Sequence, residues 1–290
     1  MNVLSLFDGM SCGQIALNKA NIPYNNYYAS EIDVSAMKVT KDNYPNTVFL
    51  GDVTNWRNWN IDWFSINLLI GGSPCCGFSF AGKQLNFSDH RSKLFFEYVD
   101  ILNHIKTVNP NVVFLLENVK MQKEFQNIIT EKLGVIPIEI NSSLLSAQNR
   151  PRIYWTNIKN IIPPIDKKIT FRQIREYSSE FKYISDEKTI NRVHKKNYMQ
   201  YDINGKGHGS QDQRAYYLDG KHGCLDTGAS GKSKILEEDG RVRNTTRNEA
   251  ERLQTVPDNY TKIVSEAQAK KLLGNGWTVD VISYILTFIK

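Results

Sequence analysis

Two stretches of this chain are apolar at successive positions rather than at alternate ones: SINLLIGG at residues 65–72 and NVVFLLEN at residues 111–118. A strand points consecutive side chains to opposite faces, so a strand that is apolar throughout has to be buried on both. Between the two, Phe95, Val99, Leu102 and Ile105 fall at helical spacing over residues 91–108. The same alternation runs ahead of them. NVLSLF (2–7), NNYYASEID and TVFLGDV read as strands, and CGQIALNKA and VSAMKVTKDNY read as helices. Strands alternating with helices predict an α/β fold, a mostly parallel sheet covered by helices on both faces.

In an open sheet of this kind, ligands bind beyond the carboxyl ends of the strands. The residues expected there are Asp8 and Gly9, Glu31, Asp52, Ser73-Pro74-Cys75, and Glu117-Asn118. That agreement predicts one cleft lined by a glycine-bearing loop, several acids and a cysteine. Taken one at a time, each position has a plainer reading. FDGMSCG (7–13) fits a ligand-binding turn at a helix N-terminus and equally an ordinary strand-to-helix turn. It lacks the GxGxxG spacing of a dinucleotide site. Glu31 fits an acceptor for ribose hydroxyls or a helix-capping acid, and Asp52 an acceptor for an adenine amino group or a turn residue. Cys75 follows Pro74 at a strand end, where a nucleophile would be presented, although most cysteines are inert and buried. An acid ending a buried strand, as Glu117 does, fits either donation to a ring nitrogen or satisfaction of backbone N–H groups. Arg150 and Arg152 fit bidentate recognition of an anion or a solvated surface pair.

Composition narrows the classes. The 290 residues suffice for one large domain or a large and a small one. No apolar run is long enough to span a bilayer, and no secretion signal is read at the N-terminus. Four scattered cysteines, Cys12, Cys75, Cys76 and Cys224, fit neither a disulfide framework nor a zinc site. They suit a reducing compartment. The formal charge of +6 is compatible with a polyanionic partner. From about residue 165 to 240 the chain turns polar, rich in Lys, Arg and Tyr, and punctuated by glycine. Helical signals return in NEAERLQ, SEAQAKKLL and WTVDVISYILTFIK.

The segments FDGMSCG, SEID, GDV, GGSPCCGFS, FLLENV, QNRPRIYW, NEAERLQTVPDNY and LLGNGWTVDVI stand in the order of the motifs of the DNA (cytosine-5) methyltransferase family. The resemblance covers roughly residues 1–157 and 241–290. Its phrasing is similar to bacterial and bacteriophage members and to the catalytic domain of the vertebrate de novo methyltransferases.

The resemblance implies a class I, Rossmann-like fold dependent on S-adenosylmethionine, plus a small target-recognition region. The expected division is a catalytic domain over 1–160, target recognition over 161–245, and a segment over 246–290 that returns to the catalytic domain. It also implies S-adenosylmethionine as cofactor, with S-adenosylhomocysteine as product and no metal. The partner would be double-stranded DNA, and no membrane is involved. The setting would be the cytoplasm, as for a bacterial or phage-encoded enzyme of the restriction-modification kind.

Carried over position by position, Cys75 becomes the nucleophile, aimed by Pro74. Glu117 becomes the group facing the polar edge of the base, supported by Arg152 and Arg150. Cofactor contacts fall on Phe7, Asp8, Gly9, Met10, Ser11, Cys12, Glu31, Ile32, Asp52, Val53, Asn275, Gly276 and Trp277. The chain departs from the family pattern at Cys76, at Ser11-Cys12 before Gly13, and at Trp277-Thr278.

Such an enzyme would add the Cys75 thiolate to carbon 6 of a flipped cytosine, activating carbon 5 for methylation. Residues 77–92, with Lys83 and Arg91, would form a loop closing over DNA, and Lys and Arg of residues 165–250 would meet phosphates. A tRNA cytosine methyltransferase of the same family would use the same cysteine and glutamate. The Cys-Phe-Thr element that typically follows Glu-Asn-Val in that subgroup is not present here. A degenerate binding protein would have lost the cysteine or the glutamate, and an amino-methyltransferase would need no cysteine and would carry an aromatic residue after Pro-Pro, where this chain has Ser-Pro-Cys-Cys.

Overall fold

The computed structural model describes residues 1–74, 90–178, 181–184, 190–202, 213–225, 227 and 234–289, with backbone alone at 90–92, 190–193 and 200–202. The chain clusters into two compact units. One comprises Met1–Ile140, Pro151–Pro163 and Val281–Lys290, and the other Asn141–Arg150 and Pro164–Asp280. The boundaries expected from the sequence lie at 160 and 245; the units divide after 140, 150, 163 and 280.

The first unit opens with β1 (Asn2–Leu6), α1 (Cys12–Lys19), β2 (Asn26–Ser30), α2 (Val34–Asn43) and β3 (Val48–Phe49). It continues with β4 (Ile66–Gly71), α3 (His90–Val108), β5 (Val113–Val119), α4 (Lys123–Leu133), β6 (Ile138–Asn141) and β7 (Pro151–Thr156). These strands form a seven-stranded sheet in the order β3-β2-β1-β4-β5-β7-β6. The first five strands are parallel in their pairings, and β7 runs antiparallel to β5.

Register explains why the central strands are apolar on successive residues. Leu4, Leu69 and Phe114 form one cross-sheet row. They sit in a core cluster with Phe95, Tyr98, Leu102 and Ile105 of α3. The next row, Ser5, Ile70 and Leu115, points to the opposite face. There Ile70 lies against Gly13 of α1. β3 is shorter than TVFLGDV suggests, because Gly51 turns the chain with φ +74 directly after Leu50.

The second unit contains α5 (Phe171–Ile174), β8 (Tyr183–Ile184), β9 (Ile190–His194), β10 (Tyr198–Asp202), β11 (Arg214–Tyr217), β12 (Lys234–Leu236) and β13 (Val242–Asn244). Helices α6 (Arg247–Leu253) and α7 (Glu266–Asn275) follow. The last helix, α8 (Val279–Leu286), begins at the end of this unit and continues into the first. Strands β8 to β13 form a six-stranded sheet in the order β8-β13-β12-β11-β10-β9. Its apolar centre is small, with Met199, Ala215 and Val242 fully buried. A buried ion-pair cluster adds to it: the Arg243 guanidinium meets Glu249 through both terminal nitrogens at 2.7 Å and Glu237 through Nε at 2.5 Å. Capping boxes start α5, α6 and α7: Thr170 with Gln173, Thr246 with Glu249 and Ser265 with Gln268. Among the described residues no helix is long and apolar enough to cross a membrane.

Candidate active site

The carboxyl ends of β1, β2 and β3 are stitched together. β1 stops at Leu6 because Phe7, Gly9 and Ser11 all take positive φ, at 57°, 59° and 59°. Glycine accepts this conformation freely, whereas Phe7 and Ser11 hold it against steric cost. Several hydrogen bonds impose it. The Asp8 N–H donates to the Ser30 carbonyl at 3.1 Å. The Asp8 carboxylate accepts from the Tyr27 hydroxyl at 2.7 Å and from the Ser11 hydroxyl. Glu31 Oε2 accepts from the Gly9 N–H at 2.7 Å, and its Oε1 from the N–H groups of Ile32 and Asp33 at 2.7 and 2.8 Å. The Ser30 hydroxyl donates to the Gly51 carbonyl at 2.8 Å.

Burial raises the Asp8 pKa from 3.8 to about 6, offset in part by hydrogen bonds from Ser11, Ser5 and Tyr27. Met10, Ser11 and Cys12 are buried, as is Val53. Asp52 is exposed, and its Oδ1 accepts from the Thr54 N–H and hydroxyl, both at 2.9 Å, capping a 3-10 turn. Ile32, beside Glu31, is 69% exposed, unusual for so apolar a residue. A Cβ placed on Gly9 would meet no described residue within 4 Å.

The ends of β4 and β5 are tied in the same way. The Asn118 amide donates to the Ser73 carbonyl at 3.3 Å and to its hydroxyl at 3.2 Å, and Asn118 Oδ1 accepts from the Val119 N–H at 2.8 Å. Pro74 follows Ser73. Cys75, Cys76 and the rest of the expected loop through residue 89, Lys83 included, lie outside the described residues, as does the Arg91 side chain. Across the antiparallel pair, Val119 faces Arg152 and Glu117 faces Tyr154. Arg152 is therefore diagonal to Glu117 on one face of the sheet, and its Nε lies 3.0 Å from Glu117 Oε1. Both side chains keep only 12–13% of their surface exposed.

Arg150 has different surroundings. It is buried in the second unit, 3% exposed. Its Nη2 donates to the carbonyls of Gly274 and Gly276 at 2.9 and 2.8 Å, and its Nη1 to the Leu225 carbonyl and the Cys224 sulfur, both at 3.2 Å. Gln254 Nε2 also reaches the Gly276 carbonyl, at 3.1 Å, while its Oε1 accepts from Thr278 and Gln148 at 2.8 and 3.1 Å. QNRPR, ERLQ and GNGWT thus share one buried polar cluster around the Asn275–Trp277 turn. Gln254 was legible only as the end of a helical segment. A fully buried glutamine looks no different in sequence from an exposed one.

Charge on the second unit is distributed unevenly. Arg172 pairs with Asp219 and Glu238, Arg175 with Glu237, Arg241 with Asp239, and Arg252 with Asp258. Lys195 and Lys196, in the turn between β9 and β10, are exposed. Among the described residues no cluster of three His, Cys, Asp or Glu side chains suits a metal ion.

The sequence profile of the family described as C-5 cytosine-specific DNA methylase matches residues 1–290. The chain is 31% identical over 317 residues to the type II methyltransferase M1.ScrFI of Lactococcus lactis subsp. cremoris, an alignment spanning 98% of this chain and 76% of that one. It is 29% identical over 319 residues to the type II methyltransferase M.HpaII of Haemophilus parainfluenzae, spanning 96% and 86%. The crystal structure of the S. pombe Dnmt2 methyltransferase superposes with a TM-score of 0.71 at 18% identity, covering 99% of this chain and 97% of that one, a likeness of fold. The expected fold, that of a class I S-adenosylmethionine-dependent methyltransferase, is the one observed. The chain belongs to the C-5 cytosine-specific DNA methylase family, whose members depend on S-adenosylmethionine, and it is a cytosine-5 DNA methyltransferase.

Proposed function

We propose that this enzyme methylates cytosine in double-stranded DNA through a covalent intermediate on Cys75, with Glu117 and Arg152 complementing the ring charge. The observation that carries the reading is the Glu117–Arg152 pair, on the strand whose next residue, Asn118, clamps Ser73 just ahead of Pro74 and Cys75. Addition of the Cys75 thiolate to carbon 6 breaks the carbon 5–carbon 6 double bond and sends electron density to carbon 5 and to the polar edge of the ring. Glu117 supplies the hydrogen-bonding group for that edge, and the Arg152 guanidinium complements the negative charge as it develops. S-adenosylmethionine, when bound, supplies an electrophilic methyl group. After methylation, loss of the carbon 5 proton and expulsion of the thiolate restore the double bond.

The chain's own residues fit that cofactor. Glu31 and Asp52 supply carboxylates for the ribose and the adenine amino group, exposed Ile32 supplies an apolar face for the ring, and no described residue crowds Gly9. Phe7–Cys12 and Val53 shape the floor of this region, and Asn275–Trp277 are assigned by resemblance to the same ligand. Arg150, committed to backbone carbonyls, we assign to bracing its own unit rather than to the base.

Target recognition falls to residues 161–245, with 246–290 completing the fold. Lys195 and Lys196, exposed in the β9–β10 turn, offer two cations for phosphates. A stacked base cannot reach buried side chains, so the target cytosine has to be flipped out. The setting is the cytoplasm, where bacterial and phage DNA is modified.

The test is to incubate the protein with S-adenosylmethionine and duplex DNA carrying 5-fluorocytosine, in parallel with Cys75→Ser. Fluorine at carbon 5 blocks the elimination step. A denaturant-resistant protein–DNA adduct that the serine variant lacks supports the reading, and mapping the adducted cytosines gives the target site. Persistence of the adduct in Cys75→Ser refutes it. Methylation of tRNA but not of total genomic DNA would overturn the choice of substrate.

A further inference from the structure

The cofactor loop is held from behind by a residue that belongs to none of the motifs. Tyr27 lies on β2, 2% exposed, and its hydroxyl donates to Asp8 Oδ1 at 2.7 Å. The other Asp8 oxygen takes the Ser11 hydroxyl. Ser11 Oγ accepts from the Gln14 amide at 3.1 Å, which also donates to the Thr47 hydroxyl at 2.8 Å, and Gln14 Oε1 accepts from the Tyr24 hydroxyl at 2.9 Å. Apart from Tyr24, every residue in this chain of hydrogen bonds is buried.

Space for the Tyr27 hydroxyl is made by Gly13. A Cβ there would sit 2.5 Å from Tyr27 Oη and 2.5 Å from Ile70 Cδ1. Both neighbours are packed in the core, so neither has room to step aside. Strained backbone of the kind seen at Phe7 and Ser11 persists only where its surroundings over-determine it. The ties to Asp8 and Ser11 supply part of that constraint.

We infer that Tyr27 is a positioning residue for the cofactor: through Asp8 and Ser11 it holds the Phe7–Cys12 loop in its binding shape, in the space that Gly13 leaves. The departure from the family pattern at Ser11 fits this. A serine replaces conformational freedom with a hydroxyl that Asp8 captures. The inference rests on the reading that this loop binds S-adenosylmethionine.

The test titrates S-adenosylhomocysteine into the full chain by calorimetry, without DNA, and follows steady-state kinetics. Tyr27→Phe deletes one oxygen and keeps the ring. It should weaken S-adenosylhomocysteine about tenfold and raise KM for S-adenosylmethionine to match, while kcat at saturating cofactor and KM for DNA stay within about twofold. Combined with Asp8→Asn, the loss should fall short of the product of the two single losses, because both act through one carboxylate. Gly13→Ala should weaken binding in the same direction; if it fails to fold, Tyr27→Phe decides alone.

Unchanged affinity in Tyr27→Phe, with only a lower melting temperature, overturns the inference. Glu31→Gln and Ile32→Asp separate the two readings. If they weaken binding and Tyr27→Phe does not, the inference alone fails. If neither weakens it, the cofactor reading fails and the inference with it.

Discussion

Arg152 reaches Glu117 diagonally across an antiparallel strand pair, its Nε 3.0 Å from the carboxylate, with both side chains largely withdrawn from solvent. A pair in this position can act on charge that develops only during reaction. We expect Glu117→Gln to lower kcat by about 10²–10⁴-fold, the range for loss of a positioned proton-handling group. Arg152→Ala should lower it by about 10²-fold, as loss of one electrostatic donor does. S-adenosylhomocysteine affinity should stay within about twofold in both. Single-turnover methylation and calorimetric titration check this, and equal losses in affinity and rate would count against it.

Arg150, two residues earlier in the chain, should behave in the opposite way. Its guanidinium serves the buried carbonyls of Leu225, Gly274 and Gly276. Arg150→Met would leave buried acceptors short of donors, with an expected loss of about 3 kcal/mol in stability. Urea unfolding followed by circular dichroism measures this. A variant of wild-type stability with a collapsed kcat would instead mean that Arg150 acts on the base.

Asp8 gives a pH dependence of unusual sign. Its pKa is raised on folding from 3.8 to about 6, so between these values the folded chain holds the proton more tightly than the unfolded one. Its contribution is therefore most favourable below the unfolded value and is lost as pH rises through about 6. Most native carboxylates do the reverse. The difference in unfolding free energy between wild type and Asp8→Asn should shift toward wild type by up to about 3 kcal/mol as pH falls from 7 to 4. Denaturant titrations at a series of pH values test it. A flat difference would show that Asp8 is ionised at ordinary strength.

Lys195 and Lys196 stand exposed in the β9–β10 turn. Replacing both by alanine should weaken binding to cognate and non-cognate duplexes alike. It should also flatten the plot of log affinity against log salt by about two contacts' worth, roughly 0.9 per phosphate. Fluorescence anisotropy across a salt series measures both. A loss confined to the cognate sequence would place these lysines on bases instead.

How much of this was legible in the sequence depended on how local its cause was. β4, β5 and α3 could be read because burial on two faces, or on one helical stripe, leaves an unbroken pattern in neighbouring residues. The strand-end positions of Asp8, Glu31 and Glu117 followed from the same alternation. β7 was not foreseen from periodicity, because an antiparallel return strand carries no marker of its partner; the support of Glu117 by Arg152 came from the family resemblance alone. The second unit's sheet escaped for a similar reason. Its strands are two to five residues long, and their unit buries the Arg243–Glu237–Glu249 cluster, whose charged residues look like surface when read in line. Tyr27 and Gly13 mattered through a single interatomic approach that no spacing rule encodes.

The first unit is discontinuous: its last piece, Val281–Lys290, follows the whole of Pro164–Asp280. Val281, Ile282, Ile285 and Leu286 of that piece are completely buried. On the ribosome, the first unit therefore cannot be completed until the entire second unit has been translated. A premature stop or a frameshift anywhere in the second unit would strip the helix from the first as well. Changes in the second unit that keep the reading frame leave this late closure intact, so the region expected to choose the DNA site can diversify by substitution while remaining intolerant of truncation.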